Sequence, residues 1–234
     1  MSYLKFKEIT IDDFSDENIN RMYNDGYVFG RPTKGYMYQT RSLRIDLSKF
    51  ELSSENKRIL KKISDLELQI SDLPYEKYDW KIGKMGKDFY TTKFGDGTFS
   101  ANKIKELLTT DHNFNKLFQL ILRSPEDTGR REDLSESSTV GYAICHENKE
   151  ILHYSYPFYN LTPNTQNLTP NLGMGMMLQS ILYAQQNHKR YVYLGSAKDE
   201  KAKYKLQFKG LEWFDGEKWS GDLGELKKEL IKKN

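Results

Sequence analysis

The chain has 234 residues, 37% of them hydrophobic and 29% charged, which suits a water-facing globular protein of one large or two small domains. Its 36 basic and 33 acidic residues leave a formal charge of only +3, so any polyanion site must be a local patch. A single cysteine excludes a disulfide framework or a cysteine-rich metal site within one chain. No apolar run approaches roughly 18 residues and the opening Met-Ser-Tyr-Leu-Lys-Phe-Lys-Glu is mixed polar, so the expectation is a cytoplasmic protein with no membrane contact.

Ser15 reads as a helix cap, followed by Ile19, Met22 and Tyr23 at helical spacing and by Gly26 as a stop. Residues 41–47 alternate as a half-exposed strand, with Arg44 and Asp46 on its outer face. Ser53 or Ser54 opens a long helix with Ile59, Ile63, Leu66 and Ile70 as its stripe, ended by Pro74. A loop and a strand near Lys87–Phe94 are expected next, then a turn at Gly95-Asp96-Gly97. Ser100 caps a short helix to Leu108, and Asp111 caps another carrying Phe114, Leu117, Phe118, Ile121 and Leu122. Residues 124–138 are polar and read as a mobile connection.

Strands near 139–145 and 150–158 form a hairpin, and Cys145 in the first reads as a small buried or edge thiol. Asn-Leu-Thr-Pro-Asn then occurs twice, at 160–164 and 167–171. Gly173-Met-Gly175 starts a helix to about His188, buried through Met177, Leu178, Ile181 and Leu182. Tyr191–Gly195 is a strand, and Asp222–Lys233 a basic amphipathic helix with Leu226, Leu230 and Ile231 as its stripe. The histidines His112, His146, His153 and His188 lack metal-ligand spacing, so no metal is expected, and no Ser/His/Asp set or Walker-type loop is visible.

Between Lys198 and Lys209 five lysines interleave with Tyr204 and Phe208, a pattern that suits a polyanion with exposed bases. Tyr-Val-Tyr-Leu-Gly195, Lys203-Tyr-Lys-Leu-Gln-Phe208 and Leu211-Glu212 resemble the C-terminal segment of the arginyl-tRNA–protein transferases and their bacterial leucyl-transferring relatives. Tyr156, Phe158, Tyr159 and Asn160 align with that family's Tyr-x-Phe-Tyr-Asp run, with asparagine in place of aspartate. Leu172-Gly173 fits its helix start, Asn24-Asp25-Gly26-Tyr27 with Tyr36 and Tyr38 its N-terminal half, and Arg41–Ile45 with Lys57–Lys62 the stretch after that. Val28 and Phe29 replace its paired arginines, with Arg31 nearby, and its cysteine cluster is absent.

The order of elements in 139–205 is also similar to the second half of a GCN5-related N-acyltransferase, in which two central parallel strands splay apart. The resemblance implies an α+β fold with a mixed sheet flanked by helices, one acyltransferase-like domain over 1–234 with a helix-rich insert at about 53–125. It implies transfer of an amino acid from charged tRNA to the amine of a protein N-terminus or peptide, with no further cofactor. Tyr154, Tyr156 and Tyr159 are the expected proton relay. Asn160, Leu172, Gly173, Met174 and Gly175 are expected to meet the donor. Arg31, Arg41, Arg44, Lys203, Tyr204 and Lys205 are expected to hold tRNA or an acidic substrate. The alternatives are an acyl-CoA-dependent N-acyltransferase, for which Gly173-Met-Gly175 would approach pyrophosphate, and an inactive member that binds tRNA or protein.

Overall fold

The structure is a computed structural model, described here for residues 5–123, 139–161 and 169–231. The polar connection 124–138 and most of the duplicated Asn-Leu-Thr-Pro-Asn loop lie outside the described residues. In chain order the elements are β1 (Lys7–Thr10), α1 (Asp16–Asn24), β2 (Tyr27–Phe29), β3 (Tyr36–Gln39), β4 (Ser42–Asp46), α2 (Ser54–Lys62), β5 (Leu66–Asp72), α3 (Trp80–Phe94) and α4 (Ala101–Thr109). They continue with β6 (Lys116–Leu122), β7 (Thr139–Glu147), β8 (Ile151–Tyr159), α5 (Thr169–Gln186), β9 (Tyr191–Ser196), a 3-10 helix (Glu200–Gln207), β10 (Leu211–Phe214), β11 (Trp219–Ser220) and α6 (Leu223–Ile231). The protein is therefore α+β, with a large mixed sheet and helices. No helix among the described residues is long and apolar enough to cross a membrane.

Two compact units divide the chain: Met1–Ser53 with His146–Ser155 and Tyr183–Asn234, and Ser54–Cys145 with Tyr156–Leu182. In the first unit, β1, β3 and β2 make a small antiparallel sheet, and β11-β10-β4-β9-β8 follow one another as neighbours. All of these pair antiparallel except β8 with β9. Ser15 caps α1 by accepting from the Asn18 amide, and Ile19, Met22 and Tyr23 form the helix's buried face. Gly26 then turns the chain at φ +81°, where an added Cβ would lie 2.4 Å from the Phe214 ring. Only glycine meets both demands.

In the second unit β5, β6 and β7 run antiparallel, from Leu66 opposite Leu122 to Asp72 opposite Lys116 and on to Cys145. Cys145 is fully buried. α3 and α4 pack closely because Gly83 and Gly86 carry no side chain: a Cβ on Gly86 would sit 2.4 Å from Ile104 Cδ1.

Several expected elements differ. The long helix after Ser53 stops at Lys62, and Leu66 and Ile70 belong to strand β5. Their spacing satisfies a helical stripe, but Leu66, Leu68 and Ile70 also recur with period two, and the sheet prevails. Lys87–Phe94 is helical, part of α3, and the apolar run after Asp111 is strand β6, buried along most of its length. Such short apolar runs do not separate strand from buried helix by periodicity. The described part of the 53–125 segment thus mixes three helices with two strands. α5 begins at Thr169, so Gly173 and Gly175 sit one turn inside it. Ile231 is 60% exposed and leaves Leu226 and Leu230 as the buried stripe of α6. His188 follows the end of α5 in a left-handed conformation, φ +55°.

Candidate functional site

Within the first unit β8 and β9 pair in parallel over Ile151–His153 and Tyr191–Tyr193. Beyond His153 and Tyr193 neither strand pairs with the other, although within this unit β8 runs on to Ser155 and β9 to Ser196. The ladder ends where β9 becomes irregular against its other neighbour, β4. Ser42 pairs with Ser196 and Arg44 with Tyr193, so Leu194 and Gly195 together stand opposite Leu43. This is a β-bulge, and Gly195 carries it at φ +72°. Nothing lies within 4 Å of a Cβ added there, so conformation rather than crowding requires glycine.

The bulge re-aims two backbone carbonyls, and a lysine occupies them. Lys205 Nζ donates to the Leu194 carbonyl at 2.7 Å and to the Ser196 carbonyl at 3.4 Å. It projects from the 3-10 helix, which Asp199 caps by accepting from the Lys201 amide. Lys205 is half-buried as a residue, but its ammonium is enclosed, and desolvation lowers its pKa from 10.5 to about 8. Tyr204 beside it is half exposed, with its ring centroid 5.9 Å from the Lys205 ammonium. Lys203 is paired with Glu200.

Next to the opening lies a buried polar cluster. The Tyr23 hydroxyl accepts from the Phe29 amide at 3.4 Å and contacts His153 Nδ1 at 2.9 Å. The tautomer of His153 decides which partner of that contact donates. Tyr193 packs edge-on to Tyr23 at 4.7 Å, and His146 stacks at 6.3 Å. His153 is 1% exposed; burial first, then the neighbouring His146 and Lys205 charges, lower its pKa from 6.5 to about 3. The folded form holds His153 neutral while the unfolded chain takes up a proton below 6.5. Its contribution to stability is therefore complete above about pH 6.5 and is lost progressively toward about pH 3. The slope reaches about 1.4 kcal/mol per pH unit. Urea unfolding of wild type and His153→Gln between pH 4 and 7 tests this: the variant should have the flatter profile, and parallel profiles would refute it.

Two of the three expected arginines make ion pairs within the first unit. Arg44, expected on an outer face, is only 7% exposed. Its guanidinium lies 4.0 Å from the Tyr191 ring centroid and 4.1 Å from that of Trp219, and it pairs with Glu212 on neighbouring β10 at 2.8 Å. Arg41 pairs with Glu229 of α6 at 3.1 Å, and its carbonyl accepts from the Ala197 amide just beyond β9. Arg31 is half-buried between β2 and β3, while Val28 and Phe29 are core residues. Tyr154, the first β8 residue beyond the ladder, is 2% exposed.

The remaining expected residues belong to the second unit. Tyr156 packs between Phe99 and Phe114, with centroids 5.5 and 5.3 Å away. Tyr159 lies 4.6 Å from Phe89, and burial raises its pKa. The Asn160 amide donates to the Val140 carbonyl. Leu172 is buried, Met174 half-buried, Gly173 faces the Tyr159 ring and Gly175 faces Ile63. Sequence reasoning gives His153 and Tyr23 no role at this region and places Gly195 only as the end of a strand before the basic turn. An isolated glycine ending a strand just before a basic turn was the available signal.

Fold and site together define an α+β protein whose parallel strand pair opens at a glycine bulge and holds a lysine ammonium there. No family model matches the chain. The aspartate/glutamate leucyltransferase of Saccharophagus degradans is 34% identical over 87 residues, which is 36% of this chain and 35% of that protein. The match therefore spans about a third of that relative's length. The structure of L-PGS from Bacillus licheniformis aligns at 10% identity and a TM-score of 0.45, covering 93% of this chain and 71% of that one. FemX aligns at 11% identity and a TM-score of 0.44, covering 95% and 66%.

Proposed function

We propose that this protein transfers an amino acid from aminoacyl-tRNA to the amine of a protein N-terminus or peptide, on a scaffold of the GCN5-related acyltransferase kind. The observation that carries the reading is the opened β8–β9 pair with Lys205 seated on its bulge. The partial match to an aspartate/glutamate leucyltransferase supports the donor class.

The ester of a charged tRNA is already activated, so the site must position the amine and handle one proton. The acceptor nitrogen attacks the ester carbonyl carbon, a C–N bond forms, and the C–O bond to the terminal ribose breaks. The amine proton passes to neutral Lys205 and from there to the departing ribose oxygen. Desolvation lowers the Lys205 pKa to about 8, so at neutral pH its amine is neutral far more often than that of a solvated lysine. Tyr154, Tyr156 and Tyr159 are the further proposed proton carriers. Asn160, Leu172, Gly173, Met174 and Gly175 are the proposed donor contacts, and Arg31, Arg41, Arg44, Lys203 and Tyr204 join Lys205 in the proposed surface for tRNA or acidic substrate.

An acyl-CoA donor suits α5 less well. The amides a helix offers to phosphate belong to its first turn, ahead of Gly173. Both glycines also have packing reasons to lack a side chain, beside Tyr159 and Ile63. Incubation with a pool of charged tRNAs and peptides beginning with Asp or Glu should add one amino-acid mass to the peptide. No addition from any charged tRNA, together with strong thermal stabilisation by coenzyme A, would transfer the assignment to the acyl-CoA class.

A further inference from the structure

Helix α3 has a solvent face for which its own unit shows no use. Trp80 is 65% exposed, the most exposed large hydrophobic side chain among the described residues. Lys84 and Lys87 follow it at one and two helical turns, and Lys81 lies alongside. All three lysines are exposed. Lys84 pairs with Asp88 at 2.5 Å, whereas among the described residues Lys81, Lys87 and Lys93 have no ion-pair partner. The helix carries four lysines against one acidic residue, a net charge of +3, which equals the formal charge of the entire chain. The cationic potential here is a local property of this element, not an overflow of a basic protein.

The opposite side of α3 is occupied: Ile82, Gly83, Gly86, Phe89 and Tyr90 are buried in the second unit. No apolar stripe remains to enter a bilayer, as an interfacial membrane helix requires. What remains from Trp80 to Lys87 is one indole and a row of ammonium groups over about 10 Å of helix, with Asp88 beside Lys84 and a second exposed ring, Phe94, only at the far end of the helix. That distance matches about three nucleotides at 3.4 Å rise. We infer that the Trp80–Lys87 face of α3 is an RNA-binding surface, with Lys81, Lys84 and Lys87 on phosphates and Trp80 stacked on an unpaired base or sugar. The inference rests on the proposed tRNA donor and gives the inserted segment the task of holding it.

The test uses the full chain and fluorescein-labelled, uncharged, unfractionated tRNA, with anisotropy followed over a salt series. Trp80→Ala should weaken binding about tenfold. Lys81→Gln with Lys87→Gln should lower the slope of log Kd against log salt by about 1.5, at roughly 0.7 to 0.9 per phosphate contact. Lys57→Gln with Lys61→Gln on α2 should leave both quantities unchanged. Circular dichroism melts, expected to be unaltered at these exposed positions, confirm folding. Absence of tRNA binding, an unchanged affinity and slope in the α3 variants, or α3-dependent binding confined to phosphatidylglycerol-rich vesicles would overturn the inference. Because the RNA carries no amino acid, the result is independent of transfer. Transfer with α3-indifferent RNA binding removes this surface and leaves the function, while α3-dependent binding without transfer does the reverse.

Discussion

Lys205→Met is expected to reduce transfer at least 100-fold without lowering the melting temperature. The activity loss follows from removing the proton acceptor, an effect of about 10²- to 10⁴-fold for a positioned general base. Stability should hold because burial already disfavours the charged side chain: lowering its pKa from 10.5 to about 8 costs about 3 kcal/mol when both states are protonated. The unfolded chain binds the extra proton between about 8 and 10.5, so stability rises with pH across that window and carries the full penalty below it. Methionine lifts the penalty but leaves the Leu194 and Ser196 carbonyls without their donor, a loss of about 1–3 kcal/mol. The two effects nearly offset. Lys205→Arg keeps a permanent cation that cannot accept a proton, and it should be equally inactive. The wild-type rate should climb as pH rises through about 8. A flat profile, or full activity in the arginine variant, would show that charge alone is needed.

Glu147→Ala should destabilise the protein by about 3–5 kcal/mol, a large part of the roughly 5–15 kcal/mol that holds a domain folded. Glu147 and Lys189 pair at 2.8 Å with side chains only 8% and 9% exposed. The Tyr183 hydroxyl donates to the same carboxylate at 3.1 Å, and Lys189 also donates to the Asn148 carbonyl. Removing the carboxylate alone strands a buried ammonium just before β9. Adding Lys189→Met to Glu147→Ala should therefore recover much of the loss, because the stranded charge goes too. Urea midpoints of the two single variants and the double complete the cycle. Additive losses, or a single loss near 1 kcal/mol, would mean that the pair is effectively solvated.

Elements with local punctuation were legible: Ser15 and Ser100 cap helices where expected, and the hairpin joining β7 to β8 appears near its expected positions. Elements decided by distant packing were not. β6 is a strand because β5 and β7 flank it, which its own seven residues do not encode. α3 tolerates two glycines because Tyr78 and Ile104 approach them. The site divides in the same way. The tyrosine strand and the lysine corner announce themselves in composition. The seat of Lys205, however, depends on a one-residue offset between β4 and β9, strands separated by well over a hundred residues. Arg44 looked solvent-facing because alternation does not reveal that Glu212, Tyr191 and Trp219 converge on it.

The chain's three tryptophans occupy contrasting surroundings. Trp213 is buried and donates its indole N–H to the Asp222 carbonyl, and Trp219 lies against the Arg44 guanidinium, both in the first unit. Trp80 stands in water on the second unit. Iodide should quench Trp80 emission more strongly than that of half-buried Trp219 and buried Trp213 in the native protein. The remaining blue-shifted fluorescence then becomes a private optical record of the first unit melting, read without any added label.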